Sequence, residues 1–243
     1  RSFPVSAICL DFDSTARTLY GNQEGAAKGY NPQHKGKKSY HPLICTEAHR
    51  KECLGGALRY GNAHTALGVK EMLNEVLALL PKGIRSLRTR ADAGFYDGDF
   101  IAQLSQNGVE FALVARMTEP LKYKVPGLRY QKVSNILSTA EFRYKPVGWN
   151  KKHRFVVLRE KLTEKRDEQL TLFKSNVYSY HVIVASLPLT PYGVFTFYED
   201  RAGLERIIRI ARDDYSFGTA PTNNFQANAL YAELSMFAYN LVV

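Results

Sequence analysis

The chain has 243 residues, of which 45% are hydrophobic and 23% are charged, and its formal net charge is +10. This length suits one large domain or a domain with an insertion, and the composition is that of an ordinary globular protein. It contains neither an apolar run long enough to span a membrane nor an N-terminal signal-peptide pattern, so we expect no membrane association.

The three cysteines, Cys9, Cys45 and Cys53, are an odd number without metal-ligand spacing. We interpret them as core residues of a protein from a reducing compartment. Arg1 is not an initiator methionine, and an apolar strand follows it almost at once. We therefore expect the chain to be a fragment of a longer protein.

The positive charge is concentrated in one part of the sequence. Between Met117 and Tyr180 there are 14 Lys and Arg against 6 Asp and Glu, a net charge of +8. Such a segment is either an ordinary solvated surface or a surface that binds phosphate groups.

The first strand is predicted over residues 5–12, an apolar and β-branched run that ends in an acidic and hydroxyl-rich segment containing Asp11 and Asp13. A long polar loop is predicted over 20–38. Two antiparallel strands over 39–48 and 52–60 then complete a meander with the first strand.

Helices and strands alternate in the next part of the chain. Helices are predicted over 66–80 and 97–106, and strands over 84–91 and 109–115. The strand over 84–91 is followed directly by Asp92, in the sequence ADAG. A meander followed by βαβ crossovers predicts a mixed sheet with helices on both faces.

The pattern changes at residue 117. Short alternating segments predict additional β structure, and the charged stretch 161–169 predicts an exposed turn or loop. A buried strand follows over 180–186, and helices are predicted over 199–213 and 225–241, the second capped by Asn223 or Asn224. We therefore divide the chain into a first core part, 1–116, a basic β-rich insertion, 117–178, and a last core part, 179–243.

The late helix carries a charged face. If the chain is helical from 198 to 212, one side presents Tyr198, Arg201, Glu205, Arg209 and Arg212, and the opposite side is apolar. Most such faces are solvated and stabilised by ion pairs one turn apart. Alternatively, the arginines hold phosphates and Glu205 joins acids from other elements.

Two predicted strands end in a carboxylate, Asp13 and Asp92, and the ends of strands are where ligands bind in such sheets. Together with Glu205 these acids would repel one another unless a cation neutralised them. Mg²⁺ prefers oxygen ligands, and two ions about 4 Å apart promote in-line phosphoryl displacement. We therefore predict that Asp13, Asp92 and Glu205 hold two Mg²⁺ ions, with Mn²⁺ as a substitute.

These motifs resemble those of DDE transposases with the ribonuclease-H-like fold. The sequence DST (13–15), the second aspartate in RTRADAGF (88–95) and a Tyr-x2-Arg-x3-Glu-x6-Lys pattern are similar to the insertion-sequence group that bears this signature. ALRYGN (57–62) and NNFQANALYAELSMFAYNL (223–241) also resemble its members. One departure is Arg212, which stands where the family usually has lysine.

The resemblance implies an α/β fold: a ribonuclease-H-like, mixed five-stranded sheet flanked by helices, with a β-rich insertion before the last catalytic helix. It implies metal-dependent cleavage and strand transfer of transposon-end DNA, with Asp13, Asp92 and Glu205 catalytic. The expected partners are double-stranded transposon-end DNA, target DNA and, on DNA, a second copy of the chain. The expected location is the nucleoid in a bacterial-type cytoplasm. The resemblance also implies a separate N-terminal DNA-binding part, which we expect to lie outside this fragment.

The residues expected to contact DNA form two groups. On the late helix they are Tyr198, Arg201, Arg209 and Arg212; in the insertion they are Lys151, Lys152 and Arg154. Beside the second group, Trp149 is either a DNA-contacting tip or the anchor of a folded hairpin.

Competing acids exist for each catalytic position. Asp11 competes with Asp13, which matches the family motif. Asp97 and Asp99 compete with Asp92 but are expected to cap and start a helix. Glu199 and Asp200 compete with Glu205 but suit the first turn of the late helix.

Three further assignments remain open. Asp92 could serve as a helix cap rather than a metal ligand. His34, His41 and His64 have no ligand spacing and are expected to be surface, strand and cap residues. Two other functions compete with a transposase: an inactive, transposase-derived DNA-binding protein, which the intact acids argue against, and a simple ribonuclease-H-like nuclease, which the basic insertion argues against.

Overall fold

The computed structural model describes residues 7–32, 34–162 and 177–243. Twelve strands occur in these ranges: β1 (Ala7–Ser14), β2 (Arg17–Thr18), β3 (Ala27–Lys28), β4 (Lys38–Tyr40), β5 (Leu43–Glu47), β6 (Cys53–Ala57), β7 (Ser86–Ala91), β8 (Glu110–Val114), β9 (Gln131–Lys132), β10 (Leu137–Tyr144), β11 (His153–Lys161) and β12 (Tyr178–Ala185). Six α-helices accompany them: α1 (Val69–Leu79), α2 (Gly98–Gln106), α3 (Glu119–Lys124), α4 (Pro191–Glu199), α5 (Ala202–Asp213) and α6 (Phe225–Asn240). Two 3-10 turns lie at Ala93–Phe95 and Val125–Gly127.

The central sheet has nine strands in the order β6-β5-β1-β7-β8-β12-β11-β10-β9. β1, β7 and β8 are parallel neighbours, and the other pairs are antiparallel. The mixed α/β class is as predicted, but the sheet is larger than the five strands expected. The reason is that β12 pairs with the open edge of β8. Beyond β12 the sheet continues through β11, β10 and β9, so strands from the segment 117–178 extend the central sheet.

A second, three-stranded sheet of order β2-β4-β3 includes part of the segment expected to be a long loop. The strand expected over 39–48 is divided into β4 and β5, with His41 and Pro42 between them. Of the remaining segments, residues 5–6 of the first expected strand and most of the charged stretch 161–169 lie outside the described residues.

Side chains of β1 alternate between the two faces of the sheet. Leu10 and Phe12 enter a core that includes Leu73 of α1 and Phe100 of α2. The alternate residues of the strand therefore face the other side, where α4, α5 and α6 pack. Asp11 and Asp13 belong to this second set.

The opposite face is covered by two groups of helices. Leu204 and Ile207 of α5 pack in one core with Ile44 of the sheet and Met236 of α6. In a separate core, Phe195 of α4 packs with residues of β8, β11 and β12. The late helices thus cover the face of the sheet to which Asp11 and Asp13 of β1 belong.

The charged face expected on a single late helix is divided by a break in the chain. α4 ends at Glu199 and α5 begins at Ala202, so Tyr198 and Arg201 do not share a helix with Arg209 and Arg212. The two helices also pack on different cores. The expectation of one continuous helix over 199–213 was therefore wrong.

Trp149 anchors the hairpin between β10 and β11. Its ring lies 4.9 Å from that of Tyr96 and 5.2 Å from that of His153. A Cβ at Gly98 would lie 2.9 Å from the indole, so α2 needs glycine where the tryptophan packs. This packing favours the hairpin-anchor interpretation of Trp149 over a DNA-contacting tip. Within the described ranges, none of the helices is both long and apolar enough to cross a membrane.

Candidate active site

Asp13 and Asp92 lie at the same edge of the sheet. Phe12 of β1 is in register with Ala91 of β7, and an aspartate directly follows each of these two residues. Neighbouring strands are only about 4.8 Å apart. Burial raises the pKa of Asp13, and the nearby charge of Asp92 raises it further. The structure therefore brings these two predicted acids together.

Arg201 supplies positive charge to this pair. Its Nη2 lies 3.3 Å from Oδ2 of Asp13 and donates a hydrogen bond of 2.9 Å to the carbonyl of Phe12. The other carboxylate oxygen of Asp13 accepts from the backbone N–H of Ser14 at 2.8 Å. Burial lowers the pKa of Arg201, but the nearby charges of Asp13, Tyr198, Asp92 and Asp11 together outweigh burial, so the pKa is raised.

Tyr198, in the last turn of α4, belongs to the same cluster. Burial raises the pKa of its hydroxyl, and the charges of Asp92 and Asp13 add to the effect while Arg201 opposes it. A tyrosine and an arginine from the break between α4 and α5 thus face the two aspartates.

Asp92 also has a structural contact. Its Oδ1 accepts from the backbone N–H of Gly94 at 2.8 Å and caps the 3-10 turn that follows β7. Gly94 is tightly confined, because a Cβ there would lie 2.4 Å from Cγ2 of Thr65. A cap uses one oxygen of a carboxylate, so capping and metal binding by Asp92 are compatible.

Asp11 is committed to the fold. It accepts two hydrogen bonds from Arg90, at 2.7 and 2.8 Å, and the side chains of this pair are only 3% and 4% exposed. Arg90 also donates to the carbonyl of Phe197 in α4 at 2.8 Å. This buried bidentate pair fastens α4 to β1 and β7, which supports Asp13 over Asp11 as the functional acid.

Asp97 behaves as expected of a helix cap, since it accepts from the backbone N–H of Phe100 at 2.9 Å at the start of α2. His41 is buried and contacts the carbonyl of Ala63 at 2.8 Å, and burial lowers its pKa. Neither residue is arranged as a metal ligand.

Glu205 is exposed in the first turn of α5. In the part of the chain that the structure describes, there is no group of three His, Cys, Asp or Glu side chains that could hold a metal ion. The aspartate pair therefore forms without Glu205. Glu205 nevertheless follows Arg201 by four residues, about one helical turn, and Arg201 contacts Asp13.

The other predicted DNA-contacting residues are spread over the surface. Arg209 is exposed on α5, whereas Arg212 forms a two-point ion pair with Asp213 at 2.7 and 3.0 Å. Lys151 and Lys152 are exposed in the hairpin between β10 and β11.

Arg154 has a structural role. Its Nε donates to Glu141 at 2.7 Å, and its two terminal nitrogens donate to the carbonyls of Leu187 and Leu189 at 2.8 Å each. These contacts connect β10 and β11 to the segment that precedes α4. The grouping of Arg154 with the exposed lysines as DNA contacts therefore has little support from its surroundings.

A cavity of about 670 Å³ opens beside Asp92. Besides residues 14–16 and 92–94, its walls include Tyr30, Asn31, Pro32, His41, Asn62, Ala63, His64, Thr65 and Arg116. Arg116 was not among the site residues predicted from the sequence. A signal was present, since Arg116 follows β8 closely, just as Asp13 and Asp92 stand at the ends of β1 and β7.

Arg59 holds one wall of this cavity in place. It is buried and donates to the carbonyls of His41, Thr65 and Leu67 at 2.7, 2.9 and 2.5 Å. Burial lowers its pKa to about 10. These bonds fix the loop that carries Asn62 and His64 against the sheet edge.

The donor set suits a hard divalent cation. Two carboxylates face one guanidinium, which leaves the cluster acidic, and Mg²⁺ is usually held by one or two carboxylates with water and phosphate oxygens. The fold and the site thus define an α/β protein with a carboxylate pair fit for a divalent ion at the ends of adjacent parallel strands.

The family to which the chain belongs is the Transposase DDE domain group 1, whose model matches residues 2–243. This confirms the prediction of a DDE transposase domain. A search among curated proteins found no match.

Among solved structures, the chain resembles a piggyBac transposase in a synaptic complex with hairpin DNA. The TM-score is 0.58 and the sequence identity is 13%, and the match covers 96% of this chain and 45% of that one. At this identity the likeness shows a shared fold. Since the match covers 45% of that chain, the present chain spans less than half the length of the matched protein.

Proposed function

We propose that the chain is the catalytic domain of a DNA transposase that cleaves and joins transposon-end DNA with a divalent metal ion. The observation that carries this proposal is the pairing of Asp13 and Asp92 at the ends of adjacent parallel strands, inside a DDE transposase domain. A pair of acids beside a cavity open to solvent is suited to chemistry on a phosphodiester.

The strand order supports a ribonuclease-H-like core. Strands β6-β5-β1-β7-β8 are a meander followed by two parallel crossovers, which is the arrangement that the sequence resemblance implies. We assign β9, β10 and β11 to the basic insertion over 117–178, and β12 to the last core part over 179–243. We also propose membership of the insertion-sequence group with the Tyr-Arg-Glu-Lys signature, here Tyr198, Arg201, Glu205 and Arg212.

Asp13 and Asp92 would hold Mg²⁺, or Mn²⁺ in its place, and Glu205 would complete the ligand set for two ions. The metal would supply charge that activates a water or 3′-hydroxyl nucleophile and stabilises the leaving oxygen. Support for Glu205 comes from its position one turn after Arg201, in the exposed first turn of α5.

The surrounding residues would bind and orient the DNA. Arg201 keeps the carboxylate of Asp13 in place through its ion pair. Arg116, exposed at the wall of the cavity, is placed to bind a phosphate beside Asp92, because a guanidinium matches phosphate oxygens in geometry and charge. Tyr198 lies near both aspartates and Arg201. Arg209 and Arg212 would contact phosphates of the duplex backbone.

The partners of this function are double-stranded transposon-end DNA and target DNA, and we propose that two copies of the chain act together on them. The net charge of +10 favours an anionic partner. From the resemblance to insertion-sequence transposases we also propose that the protein acts at the nucleoid of a bacterial-type cell.

The test is a nicking and joining assay on duplexes that carry the terminal sequences of the encoding element, with scrambled ends as controls. The reactions contain Mg²⁺, Mn²⁺ or no metal, and Asp13→Asn serves as the inactive control. The proposal expects cleavage at the element ends followed by joining to target DNA, both only with metal. The mass of the protein–DNA complex then reports whether two copies assemble.

Other outcomes would overturn the proposal. Tight binding of end DNA without cleavage in either metal would indicate an inactive, transposase-derived DNA-binding protein. Cleavage of RNA–DNA hybrids without preference for end sequences would indicate a ribonuclease-H-like nuclease.

A further inference from the structure

A second cavity, of about 270 Å³, lies in the extended part of the sheet. Three cations line it, Lys132, Arg159 and Lys161, and its described lining contains no carboxylate. The rest of the wall is formed by Tyr130, Ser134, Asn135, Ile136, Leu137, Ser138 and Tyr178. A concave surface with three cations and several hydrogen-bonding groups is suited to an anionic ligand.

Arg159 is held rigidly at the centre of this cavity. Its guanidinium carbon lies 3.9 Å from the ring centre of Tyr130 and 4.4 Å from that of Tyr178. Its Nε donates to the hydroxyl of Ser138 at 3.0 Å. Tyr130 is itself fixed, because its hydroxyl donates to the carbonyl of Val125 at 2.8 Å. A guanidinium clamped between two rings loses little entropy when it binds a ligand.

Strand register places this cavity relative to the catalytic acids. Val114, at the end of β8, pairs with Ile183 of β12, which in turn pairs with Val156 of β11. Ala91 pairs with Leu113 and with Phe12, so the residues that follow, Asp92 and Asp13, lie at the same height along the strands as Val114. Arg159 is three residues further along β11, toward the edge of the sheet where Asp92 and residues 14–16 line the first cavity. The two cavities therefore open at the same edge of the sheet.

The cations of the β10–β11 hairpin point to the other edge. Counting along β11 from Val156, Lys151 and Lys152 lie in the direction opposite to Arg159. Arg154, next to them, is neutralised by Glu141. Of these two basic clusters, the one around Arg159 is the one that shares an edge with the acids.

We propose that the cavity around Arg159 binds backbone phosphates of the same DNA duplex that is cleaved at Asp13 and Asp92. This inference rests on the proposed function. From β7 to β11 there are three strand spacings, and from β1 there are four. With about 4.8 Å per spacing and about 3.3 Å per residue along a strand, Arg159 is roughly 17 to 22 Å from the acids. Because each DNA strand carries a phosphate about every 3.4 Å of helix axis, the bound phosphates are about five to seven nucleotides from the cleaved bond.

The experiment replaces single phosphates of an end duplex by uncharged methylphosphonates, at each position within ten nucleotides of the cleaved bond. Three full-length proteins are compared: the unchanged chain, K132Q/K161Q and the matched control K151Q/K152Q. Both variants lose two positive charges, and each charge is on a long surface side chain. Affinity is measured without metal, over a series of salt concentrations.

For the unchanged chain, we expect a loss of affinity when the phosphates about five to seven nucleotides from the cleaved bond are made neutral. K132Q/K161Q loses about tenfold in affinity and between one and two units of salt slope, and it no longer responds to those replacements. K151Q/K152Q keeps the same response as the unchanged chain. A third variant, R159K, keeps the charge but not the stacked fork, and should bind less tightly with an unchanged salt slope.

The inference is overturned if neutral phosphates at these positions have no effect, or if the control variant loses the response and K132Q/K161Q keeps it. Metal-dependent cleavage of the same duplex distinguishes failure of this binding site from failure of the proposed function. Cleavage with no response at these positions leaves the proposed function in place and removes only this binding site. Absence of both binding and cleavage removes the proposed function and this inference with it.

Discussion

Arg201 is the counter-ion of Asp13: Nη2 of the arginine lies 3.3 Å from Oδ2 of the aspartate, and the two side chains are 12% and 16% exposed. The same nitrogen donates to the carbonyl of Phe12, the residue before the aspartate. Arg201 stands in the break between α4 and α5, so the position of this break is tied to a carboxylate at the end of β1. One ion pair thus connects the end of β1, which carries Asp13, to the start of α5, which carries Glu205.

Arg201→Gln should destabilise the metal-free protein and increase its response to metal. Loss of the guanidinium leaves the buried carboxylate of Asp13 without its main opposite charge, at a cost of about 2 to 3 kcal/mol in the free energy of unfolding. Because the site around Asp13 and Asp92 loses a positive charge, it should attract a cation more strongly. Added Mg²⁺ should therefore raise the Tm of this variant more than that of the unchanged protein.

The control for this prediction is Arg206→Gln, since Arg206 is exposed on α5 and should change neither quantity. In the double variant D13N/R201Q the cost should be smaller than the sum of the two single changes. An equal Mg²⁺ response of R201Q and the unchanged protein would show that Asp13 does not take part in metal binding.

Asp11→Asn and Asp13→Asn should separate a structural aspartate from a functional one. Asp11 is held by two hydrogen bonds in a buried pair with Arg90, so its replacement should cost about 3 to 5 kcal/mol, measured by urea denaturation. Burial already disfavours the charged form of Asp13, and Arg201 keeps its hydrogen bond to the carbonyl of Phe12, so Asp13→Asn should cost less, about 1 to 2 kcal/mol. It should nevertheless abolish metal-dependent cleavage. If Asp11→Asn folds normally and only loses activity, the assignments of the two residues must be exchanged.

Glu205→Gln tests the third acid. The side chain is exposed, so the free energy of unfolding should change by less than about 0.5 kcal/mol. If Glu205 completes the metal site, cleavage should fall on the order of a thousandfold, because a metal site supplies several kcal/mol of transition-state stabilisation. Glu199→Gln, an exposed change in the last turn of α4, is the matched control. Cleavage near the unchanged rate would mean that another residue, or only the two aspartates, holds the metal.

Much of the core could be predicted from sequence because its signals are local. The apolar runs of β1, β7 and β8 and the helices between them follow simple periodicities, and Asp13 and Asp92 can be located by counting to the ends of strands. The cap at Asn224, which accepts from the N–H of Ala227 at 2.9 Å, is equally local. These are the features in which the structure agrees with expectation.

The remaining features depend on contacts between distant residues. The break before α5 follows from packing on two separate cores and from a contact between Arg201 and Phe12, 189 positions apart. Hydrophobic periodicity cannot reveal it, since residues 198–212 have a continuous helical pattern. The pairing of β12 with β8, which enlarges the sheet to nine strands, is similarly set by an edge that no short motif encodes.

Asp92 combines two roles that substitutions can separate. Asparagine caps a helix about as well as aspartate, so Asp92→Asn should keep the hydrogen bond to the N–H of Gly94 and a Tm close to that of the unchanged protein. Asp92→Ala removes the cap and should cost about 1 kcal/mol. Both variants lose the charge that a metal ligand needs, so neither should cleave DNA with Mg²⁺ or Mn²⁺, while DNA affinity measured without metal should stay the same. Cleavage by Asp92→Asn near the unchanged rate would restrict Asp92 to its capping role and would remove the aspartate pair on which the proposed mechanism depends.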